Sequence, residues 1–551
     1  MNNTEIELKL LIDPADIPQL RRHPLLKALC PSGPKTRKLT SIYFDTDDFV
    51  LKNRAIALRV RRSGRQWIQT VKGGGSVQAG LHQRDEWEAP VAHSTPDYTK
   101  ITDPGLIRLF AREELRQRLH PIFVTEFNRT IWLLETEAGD QVEMALDQGE
   151  IRTGQNSAAI CEVELELKAG NPAALYELAL ALQEAAPLCP ENASKAERGY
   201  ALCAPQDTPL PVKATLPEVG REMTVDAAFR AIAWNCIGQL QDNQSRLRQG
   251  YDPELVHQMR VAVRRLRSAL SLFAAAAPGI KNAGLIEGLR GLVSHLGPAR
   301  DWDVFLGEML PPVIAALPGE KGLIRLQRQA DKICREKREQ ACVAATGQRY
   351  IEIMLRLGAW LWRAPWRTTA VAADLDLPVS VFAAQMLTRR YRQVCRRGRQ
   401  LKVLTAEQRH VLRIAAKKLR YATEFFSGLY PGKATRRYIQ ALSHLQDEFG
   451  ALNDQAVAGR LLAQIGGGGR SIFQFRYEPE AVSIRVIQLF RLTGLKKEKF
   501  MGFMPKNNSS VTSVAPCGQQ LRTRHSVRAY QARCLGLSKP ANNSLLARCI
   551  S

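Results

Sequence analysis

The chain begins with a strict alternation. In EIELKL, residues 5 to 10, Glu5, Glu7 and Lys9 fall on one side and Ile6, Leu8 and Leu10 on the other, because successive strand side chains point to opposite faces. Short runs rich in β-branched and aromatic residues follow: TSIYFDT, AIALRVRR, WIQTVKG, RDEWEAPV, FVTEFNRTIWLL, QVEMALDQGEI and AICEVELELK. They predict strands of one antiparallel sheet system up to about residue 200, with short helices between them. Residues 204–220, APQDTPLPVKATLPEVG, contain four prolines and predict a linker. Beyond it the period becomes helical, as in ELVHQMRVAVRRLRSALSLF, and stays so to about residue 465. The expected fold class is α+β and multidomain: a strand domain at 1–203, a Pro-rich linker at 204–220 and an all-α domain at 221–465.

The helical part repeats itself. HQMRVAVRRLRSAL at 257–270 matches HVLRIAAKKLRYAT at 410–423, and LGPARDWDV at 296–304 matches FGALNDQAV at 449–457, both at an offset of 153 residues. Equal offsets in two separate motifs predict two equivalent helical halves. Residues 466–551 fit neither pattern. They begin IGGGGR from Ile465, are strongly basic with three glutamates, and predict either a disordered arm or the product of a shifted reading frame.

Charge changes the picture more than bulk composition does. The chain has 551 residues, 45% hydrophobic and 24% charged, as in ordinary globular proteins. Lys and Arg number 78 against 54 Asp and Glu, a formal net charge of +24, which points to a polyanionic partner. Part of that excess lies in the basic tail, which weakens nucleic acid as a specific partner. Eleven cysteines occur singly, without a C-x-x-C pair, which argues against a zinc site and a disulfide framework. The N-terminus lacks the apolar core of a signal peptide, and no run of about 18 apolar residues is present to span a bilayer. A cytoplasmic protein is expected.

The alternating strands carry charge on one face repeatedly. Arg59 and Arg61 share a face in ALRVRR, Arg84, Glu86 and Glu88 in RDEWE, and Glu162, Glu164, Glu166 and Lys168 in CEVELELK. Lys72 ends WIQTVK, Arg129 lies in FNRTIW, and Asp147 closes EMALD. One such face is ordinary solvent exposure on an edge strand. Several, mixing carboxylates with guanidiniums, predict a sheet closed into a barrel with a polar interior. Carboxylates at i and i+2 offer hard oxygen ligands suited to Mg²⁺ or Mn²⁺, and neighbouring cations suit phosphate oxygens. Together they describe a site where a metal assists attack of water on a linear polyphosphate.

EIELK at 5–9 has the form E-x-E-x-K, and with YFDT, ALRVR, VKG, RDEWE, LDQGEI and EVELELK in this order it resembles the CYTH domain of the triphosphate tunnel metalloenzymes over about residues 1–200. The resemblance implies an eight-stranded antiparallel tunnel that binds a triphosphate and works with a divalent metal. It implies metal ligands at Glu5, Glu7, Glu162 and Glu164, and phosphate grips at Lys9, Arg59, Arg61, Lys72, Arg84 and Arg129. Catalysis would centre on Glu5, Glu7 and Lys9, with Glu86 and Glu88 as further lumenal carboxylates. The GGG at 73–75 lacks the G-K-[ST] ending of a phosphate-binding loop and reads as a hairpin turn.

In the helical part, His257, Arg260, Arg264 and Arg267 are spaced 3, 4 and 3 and share a helical face, as do His410, Arg413, Lys417 and Arg420 in the second copy. A basic face is often only solvated, but its duplication favours a functional surface. Residues 221–465 resemble the CHAD domain, which implies binding of inorganic polyphosphate by those eight residues, with Arg265, Lys418 and Tyr421 nearby. The two histidines are alternatively metal ligands, or neutral groups hydrogen-bonded to Asp301 and Asp454. The family's last helices should follow ALNDQAVAGRLLAQ, where this chain instead enters IGGGGR. The combined order is similar to bacterial inorganic triphosphatases, which split tripolyphosphate to pyrophosphate and phosphate. Alternatives are a tunnel acting on nucleotide or thiamine triphosphate, or a non-catalytic polyphosphate-binding or granule-targeting protein.

Overall fold

All eight expected strands form. The computed structural model describes residues 4–203, 210–368, 372–399 and 404–465. Strands β1 (Thr4–Leu11), β2 (Lys35–Asp45), β3 (Ile56–Ser63), β4 (Gln66–Gln78), β5 (Leu81–Val91), β6 (His120–Glu135), β7 (Gln141–Arg152) and β8 (Ser157–Ala169) pair in the order β5-β4-β3-β2-β6-β7-β8-β1. β1 also pairs with β5, Glu5 opposite Arg84, so the antiparallel sheet closes into a barrel. A short β9 (Cys189–Pro190) joins β1 at Leu10 and Leu11.

Alternation fixes what each face of the barrel meets. Leu58, Val60 and Val71 point outward into a core with Ile101, Leu106, Leu109, Phe110 and Leu115, which the helices Pro104–Phe110 and Glu113–Arg118 supply. Burying each such aliphatic side chain contributes about 1.5–3 kcal/mol. The inward set is divided. Leu39, Tyr43, Phe123, Phe127, Ile151 and Ile160 pack against Ala196 and Tyr200 of the helix Lys195–Cys203, so an apolar layer with a helix on it adjoins the charged part of the interior. That helix starts at a capping box: Ser194 Oγ accepts from the Glu197 amide at 3.2 Å, and Glu197 Oε2 accepts from the Ser194 amide at 2.7 Å.

The GGG at 73–75 is not a hairpin turn. It lies inside β4, where the register to β5 shifts between Gly73 and Ser76, and Gly74 and Gly75 have φ of +67° and +93°. It is a bulge that bends the strand. The turn between β4 and β5 falls at Ala79 and Gly80 instead.

After residue 210 the chain is helical except for connections. Helices Val225–Leu247, Pro253–Phe273 and Ala283–Val304 are followed, after Lys321–Thr346 and Gln348–Arg363, by Val379–Arg397, Ala406–Phe425 and Lys433–Ile465. The paired helix starts recur at offsets of 154, 153 and 150 residues, close to the 153 of the sequence repeat. The described part of the Pro-rich segment is tied down: Val212 exchanges hydrogen bonds with the Asn243 side chain at 3.0 and 2.9 Å, and the Thr215 carbonyl accepts from Arg265 at 2.8 Å. Compact units divide the chain otherwise than the repeat does. One holds the barrel and the helices up to Arg396 together with Ile414–Gly432, and the other holds Arg397–Arg413 and the described residues from Lys433 on. Residues 466–551, expected as an atypical tail, lie outside the described residues. No helix among the described residues is long and apolar enough to cross a membrane.

Candidate active site

The barrel interior contains a cavity of about 270 Å³ lined by Glu5, Glu7, Lys9, Arg59, Arg61, Lys72, Arg84, Glu86, Glu88, Arg129 and Glu164, all expected from the sequence. Arg37, Tyr43, Glu143, Glu166, Lys168, Ser194 and Lys195 also line it. Strand register places opposite charges face to face: Lys9 opposite Glu164, Lys72 opposite Glu86 and Arg129 opposite Asp147.

Two chains of alternating charge result. In one, Lys72 bridges Glu5 and Glu86, at 3.1 Å to the latter, and Arg59 Nη2 lies 3.2 Å from Glu86 and 3.8 Å from Glu88. In the other, Lys9 lies 2.8 Å from Glu7 and bonds Glu164, which also takes Arg129. Arg129 grips Asp147 in bidentate fashion at 2.8 and 2.6 Å. Burial alone would depress the Lys9 ammonium, but Glu164, Glu7 and Glu162 outweigh it and hold its pKa above the usual lysine value. Burial would likewise raise Glu164; the Lys195, Lys9 and Arg129 cations instead hold it well below the usual carboxylate range.

Arg61 stands apart. Its Nε donates to Ser41 Oγ at 3.1 Å, and among the described residues no carboxylate forms an ion pair with it. Burial first, then the neighbouring Arg59 and Arg129 charges, pull its pKa down to about 10. A half-buried cation near two others is costly unless an anion joins them. The lining as a whole carries nine Lys or Arg against seven Glu, a surplus of the same sign.

The structure regroups the expected metal ligands. Glu162 does not line the cavity; it is 1% exposed and bonded by Lys195 and by Arg198, the latter at 2.8 Å. Glu164 is occupied by Lys9, Arg129 and Lys195. Among the described residues, the three potential ligands whose atoms lie within 4.8 Å of one another are Asp147, Glu162 and Glu164. The Lys195 ammonium already sits there, 2.7 Å from Asp147 and 3.0 Å from Glu164. Glu5, Glu7 and Glu166 are ion-paired as well, to Lys72, to Lys9 at 2.8 Å and to Lys168 at 2.6 Å, and Glu166 is in register with both Glu7 and Glu143. Burial raises the Glu166 carboxyl above its usual value; Lys168 opposes this, and the Glu5 and Glu143 charges add to it. Carboxylate oxygens are hard donors of the kind a divalent cation takes.

Lys195 and Arg198 escaped the sequence reading because they sit on a helix, where strand alternation says nothing. The S-x-x-E of Ser194 and Glu197 was the available signal that a helix begins there.

On the helical part, His257, Arg260, Arg264 and Arg267 lie half-buried on Pro253–Phe273. Asp301 pairs with Arg260 at 3.4 Å, and Arg260 also donates to the Gly297 carbonyl at 2.6 Å. Burial, then the charges of Arg300, Arg264 and Arg260 against an opposing Glu254, lower the His257 pKa to about 4, so this histidine is neutral at pH 7. In the second copy His410 is exposed and Arg413, Lys417 and Arg420 are half-buried along Ala406–Phe425, while the Asp454 side chain lies outside the described residues. Arg265, expected near the basic face, is instead 1% exposed and bonded to Gln239, Asn235 and the Thr215 carbonyl. Tyr421 is buried as well.

A closed antiparallel barrel with paired charges inside, followed by a duplicated helical region, defines a charged-tunnel protein joined to a helical domain. Residues 3–200 match the family model of the CYTH domain and residues 231–463 that of the CHAD domain. The chain carries a CYTH domain followed by a CHAD domain. Over 208 residues, 37% of this chain, it is 36% identical to a protein of Haemophilus influenzae named inorganic triphosphatase, and the match spans 56% of that protein. Over 476 residues it is 25% identical to an uncharacterized protein of Mycobacterium tuberculosis, covering 81% of this chain and 87% of the other. A crystal structure of the CHAD domain from the plant Ricinus communis is 36% identical, with a TM-score of 0.42, covering 53% of this chain and 95% of that one.

Proposed function

We propose that this protein is an inorganic triphosphatase that hydrolyses tripolyphosphate to pyrophosphate and phosphate in the barrel. The observation that carries this reading is Arg61, a half-buried cation without an ion-paired carboxylate, repelled by the Arg59 and Arg129 charges in a cavity of net positive lining. Guanidiniums grip phosphate oxygens bidentately and stabilise charge that spreads over a transferring phosphoryl group. Arg59, Arg61 and Arg129 would orient the chain of phosphates, and Lys9 and Lys72 would meet the charge that grows on the leaving pyrophosphate.

Glu5, Glu7 and Glu166 would hold Mg²⁺ or Mn²⁺, with Glu143 behind them. The bound ion would supply Lewis acidity toward the phosphate oxygens and the attacking water. Glu86 and Glu88 keep Arg59 and Lys72 in place, and Glu164 does so for Lys9 and Arg129. The similarity to the Haemophilus protein supports this assignment of chemistry.

The helical domain would bind longer inorganic polyphosphate at the arginines around His257 and at the matching face of Ala406–Phe425. Its affinity should fall steeply with salt as counterions are released. None of the eight described cysteines is in a disulfide, in keeping with a reducing cytosol as the proposed compartment.

The test is phosphate release from tripolyphosphate, ATP and thiamine triphosphate, each with Mg²⁺, Mn²⁺ or chelator. Chelator should abolish a turnover that favours tripolyphosphate, and the double variant E5Q/E7Q should lose at least about a hundredfold in kcat while its circular dichroism stays that of wild type. Full activity in that variant would refute the role of the two glutamates. Absence of turnover on all three substrates in folded wild-type protein would leave the polyphosphate-binding reading.

A further inference from the structure

The lysine of EIELK is held by its backbone as well as by its side chain. The Lys9 amide donates to the Gly80 carbonyl at 2.9 Å, and the Lys9 carbonyl accepts from the Glu191 amide at 2.9 Å. Gly80 is the turn between β4 and β5. Its φ is +83°, and a side chain there would come within 2.9 Å of Pro190 and 3.1 Å of the Lys9 carbonyl. Turn, strand and the 189–192 segment therefore meet too closely for one to move without the others.

Asn192 closes this junction from the side of the helical domain. Its Oδ1 accepts from the Gly80 amide at 2.9 Å, and its Nδ2 donates to Asp242 Oδ1 at 3.1 Å. Asp242 belongs to Val225–Leu247, the first helix after the linker, and the adjacent Gln241, 2% exposed, donates to the Pro190 carbonyl at 3.0 Å. Two and three residues beyond Asn192, Ser194 and Lys195 line the tunnel cavity. One side chain thus spans from the helical domain to the turn that holds Lys9, and precedes the segment that delivers Lys195.

We infer that Asn192 and Asp242 form a clasp through which the helical domain positions Lys9 and Lys195, so that Asn192 is a positioning residue for the reaction in the tunnel. The inference rests on the triphosphatase reading. A shift of about 1 Å in a group that meets the reacting phosphate is enough to slow turnover severely.

The test uses the full chain and two variants. N192D keeps an acceptor for the Gly80 amide but sets a carboxylate against Asp242. The double variant N192D/D242N again offers a donor to a carboxylate, with the two side chains exchanged. N192D should lose about tenfold in kcat on tripolyphosphate, and the double variant should recover most of it. In parallel, hydrogen exchange at the Lys9 and Gly80 amides should quicken in N192D and return toward wild type in the double variant. Unchanged kcat in N192D, or a double variant as slow as the single one, overturns the inference, since a merely structural contact would lower the melting temperature and leave kcat alone. If N192D fails to fold, recovery of fold and kcat together in the double variant supports the clasp, and its failure to recover overturns it. A wild type without triphosphatase activity defeats the functional reading, and the exchange measurement still decides whether the clasp holds Lys9.

Discussion

His82 lies on β5 opposite Glu7, 1% exposed, with Nε2 3.1 Å from the Glu191 carbonyl. Burial first, then the Lys9 charge, lower its pKa to about 3. In the unfolded chain an ordinary histidine titrates near 6.5. Between those two values the unfolded state binds the extra proton, so stability rises with pH across this window and is lost on acidification through it, by about 1.4 kcal/mol per pH unit at this site. The barrel should therefore lose stability as pH falls from about 6.5 towards 3. H82Q should flatten the fall in melting temperature between pH 7.5 and 5.5. A variant as acid-sensitive as wild type would place the proton uptake elsewhere. Glu164 has the opposite sign of shift from the usual buried acid: its stabilising ion pairs are present above the ordinary carboxylate value and fade only well below it.

Within single elements, the bulge in β4 decides how the barrel closes. Gly75 has φ of +93°, and a Cβ there would stand 2.0 Å from the Gln83 carbonyl oxygen of β5. That is backbone against backbone, which cannot yield as a flexible side chain does. G75A should cost at least about 2 kcal/mol, read as a drop in the urea midpoint, because it combines a left-handed conformation with a steric clash. A variant with the wild-type midpoint would mean that the bulge can relax. The helix Lys195–Cys203 shows the same dependence on a local device: its capping box and the Tyr200 hydroxyl, which donates to Asp45 at 2.8 Å, seat the helix that carries Lys195.

At the level of the molecule, barrel and helices are joined by more than the Asn192 junction. Tyr176, on the helix Ala173–Leu182, is fully buried and donates to the Gln78 carbonyl at 2.9 Å, next to the β4–β5 turn. Its ring packs on Gly358 of Gln348–Arg363, where a Cβ would come within 2.3 Å of Cε1. Glu177 and Arg363 add a bidentate pair at 2.8 and 2.7 Å. G358V should force the tyrosine off the turn, lowering the melting temperature by several degrees and reducing turnover of tripolyphosphate in the same variant. Normal turnover in a destabilised G358V would show that the tunnel does not feel this contact.

Local periodicity is enough to determine much of this protein. A two-residue period with one charged face specifies strands whose polar sides must be enclosed together, and a 3.6-residue period repeated at a 153-residue offset specifies two sets of helices. Most lumenal residues, from Glu5 to Arg129, were legible for that reason. The tertiary structure decided what periodicity cannot carry: which strands are neighbours, in what register, and what packs on their ends. Register joined Glu166 to Glu7 and Glu143, while Lys195 and Arg198 took Glu162. The same non-local packing placed GGG opposite β5 as a bulge and buried Arg265 under the linker. Alternation sets the face on which a side chain points, whereas its partner depends on hydrogen bonds and contacts between segments far apart in the chain, which only the folded molecule brings together.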